Sequence, residues 1–226
     1  MNERYERNIG ALTQTEQELL SVKRAVLVGC GGLGGYIAEC LTRIGLGHLT
    51  LIDGDVFTAS NLNRQLISLE TNLGKNKAAE AKKRLLEIRS DLSIEAFEIF
   101  LNEENAGEIL KGHDIIIDAL DNVKTRLLIE NTANSLGIPL IHGAVEAWCA
   151  QVCTVFPGDF TLAMLYSNAQ QTAIEKPPSI LSFAPAFCAS LQAAEAVKVL
   201  LNKENILRKK LLNADMRNSS FEIIEL

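Results

Sequence analysis

The sequence predicts an α/β fold, because short apolar runs alternate along the chain with helical patterns. The apolar run Ala25 to Val28 leads through a glycine-rich loop into an apolar helical pattern. The unbroken run Ile115 to Ile117 is typical of a strand that is buried on both faces of a parallel sheet. We therefore predict a Rossmann-like, doubly wound and mainly parallel sheet, extended by antiparallel strands towards the C-terminus.

Hydrophobic periodicity and turn residues place the individual elements. Strands are expected at about 24–29, 48–53, 93–97, 115–117 and 139–142, as a pair within 143–156, and as a terminal pair within 211–225. Helices are expected at about 32–45, 75–90, 103–111, 123–136 and 184–201. The segment 56–75 is polar and is expected to be irregular.

Two regions frame the domain organisation. Residues 1–22 predict a helical N-terminal arm, because Thr13 and Glu16 have the spacing of a capping box. Residues 23–226 are expected to form a single domain. Within it, the polar stretch 158–180 contains two adjacent prolines and predicts a long, mobile crossover loop.

The glycine-rich loop has the layout of a nucleotide site. Gly29 permits a tight turn, Gly31 lets the backbone approach a phosphate, and Gly34 lets helix and strand pack closely. The N-terminus of the following helix offers unpaired N–H groups to an anion. Nineteen residues beyond Gly34, the next apolar run stops at Asp53, which would accept hydrogen bonds from a ribose. Together these features indicate a bound nucleotide.

Composition limits the class of protein and its partners. The chain has 226 residues, of which 47% are hydrophobic and 22% charged, as in an ordinary globular protein. A net charge of −6 argues against a nucleic-acid or acidic-membrane partner. No apolar stretch is expected to span a membrane, and the N-terminus lacks the apolar region of a signal peptide. We therefore expect a cytoplasmic protein.

The five cysteines form no Cys-x-x-Cys pair, so we expect reduced thiols and no zinc site. Cys188 lies in an apolar helix, and Cys149 and Cys153 lie in one strand. All three are expected to be buried as small hydrophobic residues, and whether any of them is reactive stays open.

Charged residues downstream favour phosphate chemistry over hydride transfer. Arg64 follows the second strand, Lys77 opens the next helix, and Asp121 follows the fourth strand. Two cations can hold a triphosphate and neutralise developing charge, while a carboxylate holds Mg²⁺. A hydride-transfer site commonly uses a histidine as acid or base. The three histidines lie at strand edges without an evident partner, so we assign them structural roles: His48, His113 and His142.

Five motifs in order resemble the ThiF/MoeB/HesA family, the bacterial branch of the ubiquitin-activating-enzyme superfamily. These motifs are Gly29-Cys-Gly-Gly-Leu-Gly34, Leu51-Ile-Asp-Gly-Asp55, Ser60-Asn-Leu-Asn-Arg-Gln65, Gly74-Lys-Asn-Lys77 and Asp118-Ala-Leu-Asp-Asn122 with Arg126. The resemblance covers nearly the whole chain. It implies an ATP- and Mg²⁺-dependent adenylyltransferase that activates a carboxylate and releases pyrophosphate. The usual substrate is the Gly-Gly end of a ubiquitin-like sulfur-carrier protein of the ThiS or MoaD type.

The resemblance also implies roles for single residues. Gly32 would contact the nucleotide, Asp121 would position Mg²⁺, and Asn122 would lie next to the nucleotide. Arg7 would reach into the site of a neighbouring subunit, which implies a homodimer. By the same resemblance, Asp53 would bind the ribose. The phosphates would be contacted by Ser60, Asn61 and Arg64, with Lys77 beside them. Asp55 and Gln65 would be two further residues of the nucleotide site.

The sequence departs from many relatives in its cysteines. The two Cys-x-x-Cys pairs that hold structural zinc are absent, and 166–180 contains no cysteine to accept an activated carrier. We therefore expect adenylation without a covalent cysteine relay. The alternatives are adenylation of a small molecule or of a tRNA-borne threonylcarbamoyl group, a nucleotide-binding regulator without turnover, and a dinucleotide-dependent oxidoreductase. The carrier, the pathway and the sulfur donor cannot be read from the sequence.

Overall fold

The computed structural model describes residues 3–167 and 179–226. The strands are β1 Arg24–Val28, β2 His48–Ile52, β3 Ser93–Phe97, β4 Ile115–Asp118, β5 Leu140–Glu146, β6 Cys149–Val155, β7 Lys210–Asp215 and β8 Ser220–Glu225. The helices are α1 Gln14–Leu20, α2 Gly34–Ile44, α3 Lys77–Ile88, α4 Ala106–Leu110, α5 Val123–Leu136, α6 Thr161–Leu165 and α7 Phe183–Leu200.

All eight strands form one sheet in the order β3-β2-β1-β4-β5-β6-β7-β8. Strands β1 to β5 pair in parallel, and β6, β7 and β8 are added antiparallel. The predicted mainly parallel sheet with a C-terminal antiparallel extension is confirmed. The order reverses at β1, and in such sheets ligands bind outside the carboxyl ends of the strands at that point.

Apolar residues cover both faces of the sheet. Leu27 and Ile117 belong to a core cluster that also contains residues of α2 and α7, whereas Val26 and Ile116 belong to a second cluster with residues of α5. Neighbouring side chains of one strand point to opposite faces, so β1 and β4 are buried on both sides. This explains the unbroken apolar runs from which these strands were predicted.

The N-terminal arm packs on the rest of the chain. Glu16 N–H donates to the Thr13 hydroxyl, and Thr13 N–H donates to the Glu16 carboxylate, so the predicted capping box is present. Leu20 is fully buried in the core. The Asn8 side chain donates to the carbonyl of Ile44, at the end of α2.

Helix α7 is, in the part of the chain that the structure describes, long and apolar enough to cross a membrane, with a mean hydropathy of 1.2. The expectation that no apolar stretch reaches membrane-spanning length is therefore wrong for α7, by length and composition alone. However, 56% of its residues are buried within the protein, among them Cys188 and Ala189 of the core. It packs against α2, β5 and β6 as a core helix.

The crossover stretch 158–180 is only partly within the described residues. Helix α6 lies inside it, which corrects the expectation of an irregular loop at 161–165. Glu130 of α5 accepts the backbone N–H groups of Leu162 and Ala163 and thereby holds the first turn of α6. The prediction of mobility for 168–178 lies outside the residues that the structure describes.

Candidate active site

A cleft of about 620 Å³ opens at the carboxyl ends of β1, β2 and β4. The register places Val28 opposite both Ile52 and Asp118, so the residues that follow these three strands meet at one edge of the sheet. Ten residues that the sequence predicted for the site line this cleft: Gly29, Gly31, Gly32, Asp53, Asp55, Arg64, Gln65, Lys77, Asp121 and Asn122.

The first and last glycines of the loop are required by its backbone. Gly29 has φ +97°, and a Cβ there would lie 2.6 Å from the carbonyl oxygen of Ala119. A Cβ at Gly34 would lie 2.0 Å from the carbonyl oxygen of Gly29. Gly34 therefore lets α2 begin directly against the end of β1, as predicted, and it does not itself line the cleft.

The N-terminus of α2 presents backbone N–H groups beside the glycine loop. Among the residues that the structure describes, no side chain caps this end of the helix. The first N–H groups of a helix have no partner within it, and the helix dipole favours negative charge there. Because Gly31 and Gly32 line the cleft just before this helix, the arrangement can accept a phosphate.

Asp53 lies at the end of β2, with both carboxylate oxygens facing backbone donors. Its Oδ2 accepts the N–H of Cys30 at 2.7 Å, and its Oδ1 accepts the N–H of Asp55 at 2.8 Å. Burial raises the pKa of the Asp53 carboxyl, while these N–H groups and the Lys77 ammonium act in the opposite direction. Each oxygen has a further lone pair, so the carboxylate can also accept hydroxyl groups such as those of a ribose.

The two cations reach the cleft from different elements. Lys77, at the start of α3, is only 7% exposed, and its Nζ lies 2.9 Å from Oδ2 of Asp55. A buried ammonium needs a charged or polar partner, which Asp55 supplies. Arg64 donates through Nη1 to the carbonyl of Ser60 at 2.8 Å and to Oδ1 of Asn63 at 2.9 Å. These contacts hold one side of its guanidinium in the loop.

Ser60 and Asn61 do not line the cleft. The Asn61 side chain accepts the N–H of Thr58 at 3.0 Å, and the Ser60 hydroxyl lies 3.0 Å from that of Thr58. Both residues therefore stabilise the short 3₁₀ turn Ala59–Asn61. Their assignment to the phosphates stays a prediction.

Asp121 and Asn122 follow β4 and have different local roles. Asn122 accepts the N–H of Thr125 at 2.9 Å and caps α5. Asp121 is exposed and lines the cleft, and within 3–167 and 179–226 its carboxylate has no hydrogen bond or ion pair. Mg²⁺ prefers oxygen ligands and commonly takes one or two carboxylates together with substrate phosphates. A free carboxylate beside a phosphate loop fits that ion.

Arg7 is exposed in the 3₁₀ helix Glu3–Asn8 and does not line the cleft of its own chain. Among the described residues, no group of three or more His, Cys, Asp and Glu side chains could hold a metal ion. The predicted absence of zinc stays a prediction.

The expectation that the histidines lack partners is wrong for His142 and His113. Nδ1 of His142 lies 2.6 Å from Oδ2 of Asp118, and its Nε2 lies 3.1 Å from the Tyr166 hydroxyl. Nε2 of His113 lies 2.8 Å from the Thr50 hydroxyl. Asp118 and His142 are register partners on β4 and β5, so strand pairing brings them together. Asp118 and His142 each follow an apolar run in the sequence, and this shared position after a predicted strand could have indicated that they lie close together.

Cys149 is exposed and lines the cleft, which corrects the expectation that it is buried. Cys153 and Cys188 are buried as predicted, and burial raises the pKa of both thiols to about 12. Since the thiolate is the reactive form, burial disfavours nucleophilic reaction at these two thiols.

Phe100 also lines the cleft, and the sequence did not suggest it. Its side chain is 68% exposed, which is unusual for a large aromatic residue. A Cβ at Gly54 would lie 2.6 to 2.8 Å from Cδ2, Cε2 and Cγ of the ring. Three nearly equal distances place Gly54 against the ring face rather than its edge. The opposite face is available to stack on a planar ring such as a nucleobase.

The fold and the cleft thus define a nucleotide-binding α/β protein whose site combines a phosphate loop, two cations and a free carboxylate. The chain belongs to the ThiF family, whose sequence model matches residues 5–226.

Similar proteins span most of the chain. It is 32% identical over 227 residues to the SAMP-activating enzyme E1 of Haloferax volcanii, covering 98% of this chain and 84% of that protein. It is 36% identical over 216 residues to the sulfur carrier protein adenylyltransferase of Thermus thermophilus, covering 91% and 79%. The sulfur carrier protein ThiS adenylyltransferase of Bacillus subtilis is 33% identical over 210 residues, covering 90% of this chain and 62% of that protein.

Solved structures share the architecture. The crystal structure of E. coli MccB with ATP superimposes with a TM-score of 0.86 at 22% identity, covering 100% of this chain and 71% of that chain. The crystal structure of PaaA gives a TM-score of 0.78 at 21% identity, covering 93% and 75%. At these identities the likeness concerns the fold alone.

Proposed function

We propose that the protein is an ATP-dependent adenylyltransferase that activates the C-terminal Gly-Gly carboxylate of a ubiquitin-like sulfur-carrier protein. The observation that carries this proposal is the grouping of Arg64, Lys77 and a partner-free Asp121 in the cleft that the glycine loop lines. The names of the relatives from Haloferax, Thermus and Bacillus support it. Bulk charge is consistent with a protein rather than a nucleic-acid partner, since the net charge is −6.

The reaction needs charge stabilisation and alignment rather than a protein nucleophile. A carrier carboxylate oxygen attacks the α-phosphorus of ATP, the bond to the β-phosphate oxygen breaks, and pyrophosphate leaves with that electron pair. Arg64 and Lys77 offset negative charge on the phosphates in this transition state. Asp121 would hold Mg²⁺, which supplies further charge neutralisation on the phosphate oxygens. Holding both reactants in one cleft supplies the remaining rate enhancement.

Lys77 and Asp55 provide a way to adjust the charge of the site. The Lys77 ammonium is balanced by Asp55, whose side chain is largely exposed. An incoming phosphate supplies a second anionic partner, so the ammonium can contact it without leaving its buried position. In this scheme Ser60 and Asn61 support the phosphates from the neighbouring turn, and Asp53 accepts the ribose hydroxyl groups. Asp55 and Gln65 are further nucleotide-site residues that line the cleft.

The product identifies the reaction most directly. Incubation with ATP, Mg²⁺ and a carrier ending in Gly-Gly is expected to yield a carrier whose mass increases by one AMP residue. A carrier that lacks its terminal glycine is the control and is expected to stay unmodified. Modification of a small molecule or a tRNA in place of the carrier would replace this substrate assignment. Nucleotide binding without any product would identify a regulator and overturn the proposal.

We also propose that two chains form a cytoplasmic homodimer in which Arg7 of each chain completes the site of the other. The exposed position of Arg7, outside the cleft of its own chain, supports a role in trans. Mixed Arg7→Ala and Asp121→Asn subunits are expected to recover up to about a quarter of wild-type activity. In random mixing half of the dimers are mixed, and each mixed dimer has one site with both native residues. Mixtures that stay as inactive as the separate variants would contradict an exchange of Arg7 between subunits.

A further inference from the structure

A buried polar network joins α5, the end of β4, strand β5 and the residue after α6. It consists of Asp118, Arg126, His142 and Tyr166, which we call the Tyr166 network. Asp118 is fully buried, and His142 is 1% exposed. Arg126 Nη1 lies 2.8 Å from the Tyr166 hydroxyl, and its guanidinium lies over the tyrosine ring. The sequence singled out Asp118 and Arg126 in one motif and assigned His142 a structural role, but it did not suggest Tyr166 or that these four side chains meet.

The contacts assign one hydrogen-bonding role to each group. Burial lowers the pKa of His142, with Asp118 acting in the opposite direction, so we take the imidazole as neutral. Its Nδ1–H donates to the Asp118 carboxylate, which leaves Nε2 as an acceptor. The Tyr166 hydroxyl therefore donates to Nε2 and accepts from Arg126. The tyrosine oxygen thus links His142 Nε2 and Arg126 Nη1, and among the described residues neither of these two nitrogen atoms has another hydrogen-bond partner.

The network holds the backbone that leads into Asp121. Asp118 Oδ1 accepts the N–H of Leu120 at 2.9 Å, and Arg126 Nη2 donates to the Leu120 carbonyl at 2.5 Å. Both backbone groups of Leu120 are thus bonded to network side chains. The next residue, Asp121, presents its carboxylate to the cleft without a partner among the described residues. Arg126 and Tyr166 also line this cleft.

We propose that Tyr166 is a positioning residue that fixes the Asp121 carboxylate in the cleft through Arg126, His142 and Asp118. The proposal rests on the proposed function of Asp121. In this scheme Tyr166 contacts neither the carrier carboxylate nor the α-phosphate of ATP. Its hydroxyl keeps Arg126 and His142 in single orientations, and these in turn hold Leu120 and the direction of the following carboxylate.

The test is Tyr166→Phe, which keeps the ring and removes the hydroxyl. His142 Nε2 then lacks its donor and Arg126 Nη1 lacks an acceptor, so the Leu120 backbone is held less firmly. We expect kcat for adenylation to fall about tenfold while KM for ATP changes less than about twofold. The Mg²⁺ concentration for half-maximal rate is expected to rise. The matched control is Tyr36→Phe in α2, outside the cleft.

Two further readouts separate this role from general damage and from failure of the proposed function. In the nucleotide-free protein, hydrogen exchange at the Leu120 amide is expected to quicken about tenfold in Tyr166→Phe and to stay unchanged in Tyr36→Phe. The Mg²⁺ concentration needed for half-maximal binding of a non-hydrolysable ATP analogue is expected to rise in Tyr166→Phe, and this effect is expected to vanish in an Asp121→Asn background. Unchanged Leu120 exchange, or an effect of equal size in both backgrounds, would overturn the proposal.

Discussion

Replacing Asp121 by asparagine is expected to lower kcat/KM for carrier adenylation by about 10²- to 10³-fold, the range typical when one preorganised charge-stabilising group is lost. The substitution keeps the shape of the side chain and removes its charge. The carboxylate has no partner among the described residues, so no network inside the protein depends on that charge. The thermal midpoint is therefore expected to stay within about 2 °C of the wild type. Steady-state rates of adenylate formation check the first expectation, and thermal unfolding checks the second.

Asp91→Asn is the matched control for the same chemical change. Asp91 is 68% exposed in its side chain, forms ion pairs with Arg4 and Arg89, and lies outside the cleft. Exposed ion pairs contribute about 0–1 kcal/mol, so neither activity nor stability is expected to change much. Equal rates for the two variants would show that the Asp121 charge has no part in the reaction.

Replacing Gly34 by alanine is expected to destabilise the fold by about 3 kcal/mol, the upper part of the range for overpacking a well-packed site. The new methyl carbon would lie 2.0 Å from the carbonyl oxygen of Gly29. That oxygen belongs to the backbone, so the strain is relieved only by moving α2 away from β1. A loss of this size lowers the thermal midpoint by about 6–12 °C in a chain of this length.

Gly107→Ala provides the control, because a Cβ at this position in α4 would meet nothing within 4 Å. Alanine is favoured over glycine in a helix interior by about 1 kcal/mol, so this variant is expected to be as stable as the wild type or slightly more stable. If both variants unfold at the same temperature, the close approach of Gly34 to Gly29 is not a constraint on the fold.

Local patterns were sufficient to predict the nucleotide-binding half of the fold. The strands around Leu27 and Leu51 are buried on both faces, and helix α2 begins within two residues of its predicted start, at Gly34. Here local propensity, apolar spacing and glycine placement all favour the same structure. The residues that follow these strands could be assigned to one cleft, because parallel strands bring their carboxyl ends to the same edge.

Tertiary contacts decided what the sequence did not predict. Helix α6 lies in a polar stretch, and its first turn is held by Glu130, which is 32 residues away from Leu162 in the chain. The pairing of Asp118 with His142 depends on the register between β4 and β5. Cys149 is exposed because it starts β6 at the end of a hairpin, after Ala147 with φ 50°. None of these contacts leaves a periodic signal in the sequence.

Pyrophosphate exchange tests the central claim most directly. The wild-type protein, with ATP, Mg²⁺ and labelled pyrophosphate, is expected to return label to ATP when a carrier ending in Gly-Gly is present. Exchange is expected to stop when the terminal glycine is removed from the carrier and to fall about 10²- to 10³-fold in Asp121→Asn. Exchange that proceeds equally with and without the carrier, or no exchange with any carrier of this type, would contradict adenylation of a carrier carboxylate in this cleft.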